Sequence, residues 1–528
     1  MRHPRSIAIA VAALSLAASG LAFGARTPRV LRVGTFKGIR GTYSTVQAAV
    51  NAAAPGDWIL VGPGDYKEVG AGNKESAGVL IAKRRIHLRG MNRRAVVIDG
   101  TKPGSPVCSR RKSDQIFTEH GRNGVVALEV DGVSIENLTV CNYLTGNSGG
   151  EGNEIWWNGG DGSGKIGMGS FLGRYITATS TYANGFDNPR GEYGIFTSNA
   201  RGPGVIDRAY ASNMGDAAFY IGACPDCHQL LIHSLGEHSS LGFSGTNAGG
   251  HLKIAYNVFR DNKTGAAPDS QNNDDAPSPL SGKCPNPAEV DQLSGTNSCT
   301  VWFNNLFVDN NNPNVPGSGV NGLAGGAPVG TGLVLAGNEY VTVLGNRFQN
   351  NKSWGLLIAD LPYQEDPPSE LGQNCQGGIP VLPSGTPAGS AICYFQSFGN
   401  DTRDNVFTDN GGYGNPTNGD IGMATALHNP GNCFHGNYDT KSAVTADPSI
   451  VLLQSPLYTC STPNGGDMGL LAAEALCSTQ LIAPCPTLPG ATYPRPDVSK
   501  LVLPLPTPRE VPVMPYPCAG VPTNPWCP

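Results

Sequence analysis

A six-residue unit, Asn-x-apolar-x-x-Asn, returns through the middle of this chain and restricts its fold more than any other feature. Clear copies are Asn257 to Asn262 (NVFRDN), Asn305 to Asn310 (NLFVDN), Asn346 to Asn351 (NRFQNN) and Asn405 to Asn410 (NVFTDN). Weaker copies begin at Asn137, Thr179, Arg208 and His233. The shortest steps, from Arg208 to His233 and on to Asn257, are 25 and 24 residues. A unit of that size accommodates about three strands of ~4–6 residues with their turns; the longer steps imply insertions. The units lack heptad or 3.6-residue periodicity, which argues against a helical solenoid. A strand stacked on a copy of itself hydrogen-bonds above and below at ~4.8 Å spacing. Phe259, Phe307, Phe348 and Phe407 share one repeat position, so they are expected to stack inside the coil. The asparagines are expected to form amide columns at the corners, where Asn tolerates the left-handed backbone a corner needs.

The fold class that follows is all-β: a single right-handed parallel β-helix, with a short N-terminal capping helix and a Pro-rich C-terminal tail. Ser44 to Gln47 reads as a capping box, followed by Val46, Ala49, Val50 and Ala53 at helical spacing. Pro55-Gly56-Asp57 ends that helix, and Trp58 to Val61 reads as a strand. A helix here covers the open end of a coil. The run YSTVQAAVNAAAPGDWILVGPGDYKE, residues 43–68, resembles the opening of pectin-lyase-like right-handed β-helix proteins. The Asn-x-Phe units resemble repeats of the same superfamily, including its NosD-like group. The resemblance covers roughly residues 40–440. It implies the fold; activity is left open, because the superfamily holds lyases, hydrolases, esterases, epimerases and non-catalytic members. Neither an Asp-Phe-Ile-Phe-Gly methylesterase motif nor an Asp-Pro-His epimerase motif stands out.

The chain divides into an export signal (1–24), the β-helix (40–440), an extension (441–483) and a Pro-rich tail (484–528). Arg2, His3 and Arg5 precede an apolar run from Ile7 to Phe23, and Ala22 and Gly24 make a small-x-small cleavage site. No later stretch is long and apolar enough to span a membrane, so no membrane association is expected after signal cleavage. Fourteen cysteines suit an oxidising compartment. Short-range staples are expected among Cys224 and Cys227, Cys284 and Cys299, Cys375 and Cys393, Cys433 and Cys460, Cys477 and Cys485, and Cys518 and Cys527. A net charge of −5 gives no reason to expect nucleic acid as a partner.

Four constellations could carry chemistry. Cys224-Pro-Asp-Cys227-His228 matches a haem-attachment pattern, but a loop disulfide is the simpler reading, because filled coil strands on either side leave no room for a porphyrin. Asp274 and Asp275, beside Asn272 and Asn273, could act as acid and base at a glycosidic bond or ligate Ca²⁺. A solvated loop is the plain alternative. No other cofactor is expected. Glu237, His238, His251 and Lys253 surround a Gly-rich stretch; one rung could place Glu237 and His251 near a common groove, with His251 or Lys253 transferring a proton. His233 and His238 stand where other units carry Asn, which favours corner packing for them. A basic cluster that includes Lys83, Arg84, Arg85, His87, Arg89, Arg93 and Arg94 could form a patch attracting uronate-type glycans; Arg84, Arg85, Arg93 and Arg94 are its candidate ligand-binding residues. Sequons at Asn137, Asn262, Asn351 and Asn400 matter only in a glycosylating host.

The expectation is therefore a secreted or cell-surface β-helix protein that binds or acts on extracellular polysaccharide. If catalytic, it is a lyase or glycoside hydrolase. The alternative is a non-catalytic adhesive or structural protein of the cell surface or matrix.

Overall fold

The computed structural model describes residues 26–271 except 71, and 281–528 except 285, 287, 290–297, 320–322, 365–376, 382–391, 426–430, 458–461, 467–468 and 480–491. The expected signal, Asp274 and Asp275, Cys375, Cys460 and Cys485 lie outside the described residues.

The body is one parallel β-helix. Three long sheets of 12, 11 and 11 strands run side by side from Val30 to Asp447. Each rung passes from the first sheet (Trp58–Val61 in an early rung) to the second (Gly64–Lys67), then the third (Ala77–Ile81), and back to the first at His87–Gly90. Successive strands within each sheet pair in parallel. The interior is one continuous apolar column. Within it Phe259, Phe307, Phe348 and Phe407 stack as expected, with centroids 5.3, 5.0 and 5.0 Å apart.

Two asparagine ladders edge the second sheet. Asn257, Asn305, Asn346, Asn405 and Asn437 pass one amide bond to the next at 2.9–3.1 Å, ending on Gln454. Asn262, Asn310, Asn351 and Asn410 do the same on the other edge, ending on Asp420. In the clear copies the left-handed corner falls one residue before each ladder asparagine, at Tyr256, Asp261, Asn304, Asp309, Gly345, Asn350, Asp404 and Asp409. The ladder asparagine keeps ordinary backbone there and commits its amide to the column. All four sequon asparagines are fully buried and hydrogen-bonded, Asn137, Asn262 and Asn351 on these edges and Asn400 to Asn432, so the folded chain offers none of them for glycosylation.

Helix Val46–Ala52 covers the N-terminal end, with Thr45 as its N-cap. Its Val46, Ala49 and Val50 join the coil interior. Helix Leu470–Ser478, from the extension, packs with Leu471 on the outer face of the third sheet. The Pro-rich tail turns back along the second sheet toward the N-terminus. Its backbone carbonyls accept from Asn213 at Pro504, Arg94 at Val511, and Arg89 at Pro517 and Ala519. Trp526 ends it against Phe36 and donates to Ile39 O.

Cys224–Cys227, Cys284–Cys299 and Cys518–Cys527 are bonded as their spacing predicts. Cys108 and Cys141, absent from the expected pairs, form a fourth bridge across 33 residues. Cys393, Cys433 and Cys477 are disulfide-bonded as well. No helix of the described residues is long and apolar enough to cross a membrane.

Candidate functional site

Loop length marks one face of the coil. First-to-second-sheet turns are two residues long, as at Asn137-Leu138 and Tyr256-Asn257, except between Gly90 and Val96. The long connections instead join the third sheet to its neighbours: from Asp99 to Asn123, Thr179 to Tyr193 and Val308 to Thr331 the chain enters it from the second sheet, and from Asn158 to Phe171, Asp269 to Thr300 and Ala359 to Asp401 it leaves for the first. Strands whose connections are long are where binding side chains on a rigid scaffold concentrate.

Strand alternation decides what that floor presents. In Asn153–Asn158, Tyr193–Ser198 and Ala217–Gly222, the residues Ile155, Trp157, Ile195, Phe219 and Ile221 fill the interior. The fourth residue of each strand faces outward, and the register aligns Trp156, Phe196 and Tyr220 on successive rungs, followed by Ser244. Trp156 and Phe196 stack at 4.9 Å, and Tyr220 meets Phe196 edge-on at 4.7 Å. Tyr193 packs against both Phe196 and Tyr220. All four rings stay partly exposed. Beyond Ser244 the outer face turns apolar: Ala267, Val334 and Leu357 lie against Ala324, Ala327 and Leu471. The aromatic floor is thus open at mid-coil and covered toward the C-terminal end.

Polar groups flank this column on both sides. Glu192 and Asp216 stand on adjacent rungs, with the Asp216 N–H donating to Glu192 O at 3.1 Å. Burial pushes the Asp216 carboxyl well above the usual range, and the neighbouring Glu192 charge adds to it. Tyr193 donates to Asp216 Oδ2 at 3.1 Å, while Oδ1 is buried with no hydrogen-bond partner among the described residues. Burial also raises Glu192, opposed by the Arg190 guanidinium 3.0 Å away. On the far side, Trp156 Nε1 donates to Ser198 Oγ at 3.0 Å, and Asp269 accepts from Gln271 Nε2 at 3.2 Å. Burial lifts Asp269 to about 6. Two carboxyls stacked on one edge, one favoured in its protonated form and one beside an arginine, are the ingredients of an acid–base pair. Partly exposed rings in a row suit the apolar faces of sugar rings.

The residues singled out from sequence fall elsewhere. His251 lies in the third-to-first-sheet turn, where its Nδ1 is 2.8 Å from Asp226 and its Nε2 2.8 Å from Glu289. Lys253 points outward from the first sheet, in strand Leu252–Ala255. Glu237 does not share a groove with His251. It is buried on the second sheet, accepting from Tyr210 OH and Arg260 Nε, both at 2.6 Å. His233 and His238 occupy left-handed corners. The basic cluster is not one patch. Arg93 is fully buried and donates to Thr177 Oγ1 and to the carbonyls of Ile176, Arg208 and Pro512. Arg94 holds Val511 O and Pro508 O. These two fasten the tail, so they are unavailable to a surface ligand; Arg84 and Arg85 remain exposed in a turn. Reading the sequence missed the floor residues. Their signal was an aromatic at the fourth place of six-residue strands whose third and fifth places are mostly apolar.

No protein-family model matches the sequence, and no curated protein sequence matches it. Among solved structures the chain is similar to the A-module of the Azotobacter vinelandii mannuronan C-5 epimerase AlgE4, at 13% identity and a TM-score of 0.42, over 76% of this chain and 93% of that one. An alginate lyase from Paenibacillus sp. str. FPU-7 aligns at 10% identity and a TM-score of 0.35, over 79% and 97% of the two chains. Pectate lyase Pel9A aligns at 12% identity and a TM-score of 0.33, over 80% and 79%. At such identities no site residue is carried over from them.

Proposed function

We propose that this protein binds and cleaves an extracellular polysaccharide laid along the outer face of its third sheet. The observation that carries this reading is the open column of Trp156, Phe196 and Tyr220 flanked by Glu192, Asp216 and Asp269. Sugar rings stack on the column, and Asp216, favoured in its protonated form, is the general acid, with Glu192 as its partner carboxylate. The resemblance of residues 43–68 to pectin-lyase-like proteins supports the substrate class. Among the described residues named around the column, Glu192, Asp216 and Asp269 are carboxyls and Arg190, paired with Glu192, is the cation. A neutral glycan therefore suits this floor better than a polyuronate, and half of the arginines that suggested uronate binding hold the tail instead.

The test is a panel of neutral and uronate-rich polysaccharides offered to the disulfide-intact protein, read by affinity electrophoresis and by release of reducing ends. Binding and cleavage of a neutral member are expected, with Asp216→Asn keeping binding and losing cleavage by 10²-fold or more, on the order typical of a general acid. No binding and no cleavage across the panel overturns the proposal. Binding without cleavage, unchanged by Asp216→Asn, reduces it to an adhesive role.

A further inference from the structure

The His228 and His251 side chains converge on one carboxylate at the edge of the coil. His228 Nε2 lies 3.1 Å from Asp226 Oδ2, and His251 Nδ1 lies 2.8 Å from Asp226 Oδ1. The rings stack at 4.1 Å, 17° from parallel. Both histidines sit at the same place on successive rungs, each just before a first-sheet strand and each with a left-handed backbone. The corner is held in two further ways. Cys224–Cys227 closes the loop that carries Asp226, and Cys227 N–H donates to the carbonyls of Gly249 and Gly250, next to His251.

We infer that Asp226, His228 and His251 form a binding site for a borderline transition-metal ion, Zn²⁺ or its like. Three donor atoms, one from each residue, lie within 4.8 Å of one another. Around tetrahedral zinc such atoms stand about 3.3 Å apart at Zn–N ~2.0–2.1 Å, so small readjustments of the two rings and the carboxylate form the shell. Two imidazoles and one carboxylate suit Zn²⁺, Ni²⁺ or Cu²⁺, whereas Ca²⁺ takes oxygen donors alone. Glu289 supplies the outer contact that metal-bound histidines use. Its Oε1 is 2.8 Å from His251 Nε2, so it accepts that N–H and leaves the Nδ1 lone pair for the ion. Three protein ligands leave a fourth position for water or a sugar oxygen. His228 is 43% exposed, which gives the ion a path in. Arg201, 3.7 Å from Asp226, is the nearby cation, and it is 69% exposed and free to swing outward.

Among the described residues, the other groupings of such side chains lack this freedom. Cys108 and Cys141, Cys299, and Cys433 are committed to disulfides, and Glu237 is held by Arg260 and Tyr210.

The experiment is equilibrium dialysis of the chelator-treated, disulfide-intact protein against zinc sulfate alone, together with the visible spectrum after Co²⁺ loading. One ion per chain and the intense bands of a tetrahedral Co²⁺ centre are expected. His251→Gln and His228→Gln should each weaken zinc binding 10-fold or more, and Glu289→Gln by 10–100-fold, as outer contacts do. His233→Gln, which alters a half-exposed histidine paired with Asp207, should leave zinc binding unchanged. Retention of no zinc at micromolar concentration by the unaltered protein overturns the inference. So does binding that His228→Gln and His251→Gln both leave intact. The Co²⁺ spectrum of the unaltered protein decides the matter if a variant fails to fold.

Discussion

Trp156 lies flat on Phe196, ring centroids 4.9 Å apart and planes 4° from parallel, although 40 residues separate them in the chain. Parallel pairing in register puts both on the same column of the third sheet, and the Trp156 indole N–H is tied to Ser198 Oγ. A large apolar ring kept partly exposed and fixed in orientation is a ready surface for a ligand.

Trp156→Ala should therefore weaken binding of the polysaccharide found in the panel by about 10-fold, the scale of losing one aromatic contact of ~1.5 kcal/mol. Melting temperature should fall little, since Trp157 and not Trp156 fills the interior. Affinity electrophoresis beside a thermal melt checks both halves.

Asp269 makes stability fall as pH rises. Its folded-state value, lifted by burial to about 6, exceeds the ordinary value of 3.8. Between these values the folded chain binds more protons than the unfolded chain, so raising pH across this window destabilises it. The contribution is fully present below about pH 4 and lost by about pH 6, a span of about 3 kcal/mol. Asp269→Asn should be more stable than the parent at pH 7 and little different at pH 4. Denaturant titrations at the two values measure this.

The phenylalanine stack and the asparagine ladder support the same rungs by different means. Phe348→Ala removes a fully buried ring between Phe307 and Phe407 and should cost about 3–5 kcal/mol. Asn346→Ala takes the acceptor from the buried Asn305 backbone N–H, removes one bond of the Asn305 amide and the bonds to Trp302 O and Asn405 Oδ1, and should cost about 1–3 kcal/mol, the scale of one unsatisfied buried group. Equilibrium unfolding of each variant tests these values; a cost below ~1 kcal/mol for either contradicts the packing described.

The tail is attached through side chains of the coil. Arg94 donates to Val511 O and Pro508 O, and Arg260 pairs with Glu510 and Glu237. Burial draws Arg93 down to about 9, and Pro512 O is among its acceptors. Arg94→Ala should speed limited proteolysis within residues 495–515 several-fold while leaving the coil resistant. Mass spectrometry of the fragments reads the outcome.

The repeat units by themselves determined the β-helix, its phenylalanine stack and its asparagine columns. Each is a local pattern repeated on every rung, and a strand paired with its own copy places like residues above like. Neighbouring cysteines likewise foretold Cys224–Cys227, Cys284–Cys299 and Cys518–Cys527, because short loops bring their ends together with little entropy to overcome. Only the tertiary structure decided the rest. Whether Arg93 faces water or a folded-back tail depends on Pro512, more than four hundred residues away. Glu192, Asp216 and Asp269 carry no motif; stacking the rungs is what sets them around Trp156, Phe196 and Tyr220. The likeness of His228 and His251 is also invisible along the chain, since 23 residues separate them, yet one coil of the β-helix is the length that brings both rings onto Asp226.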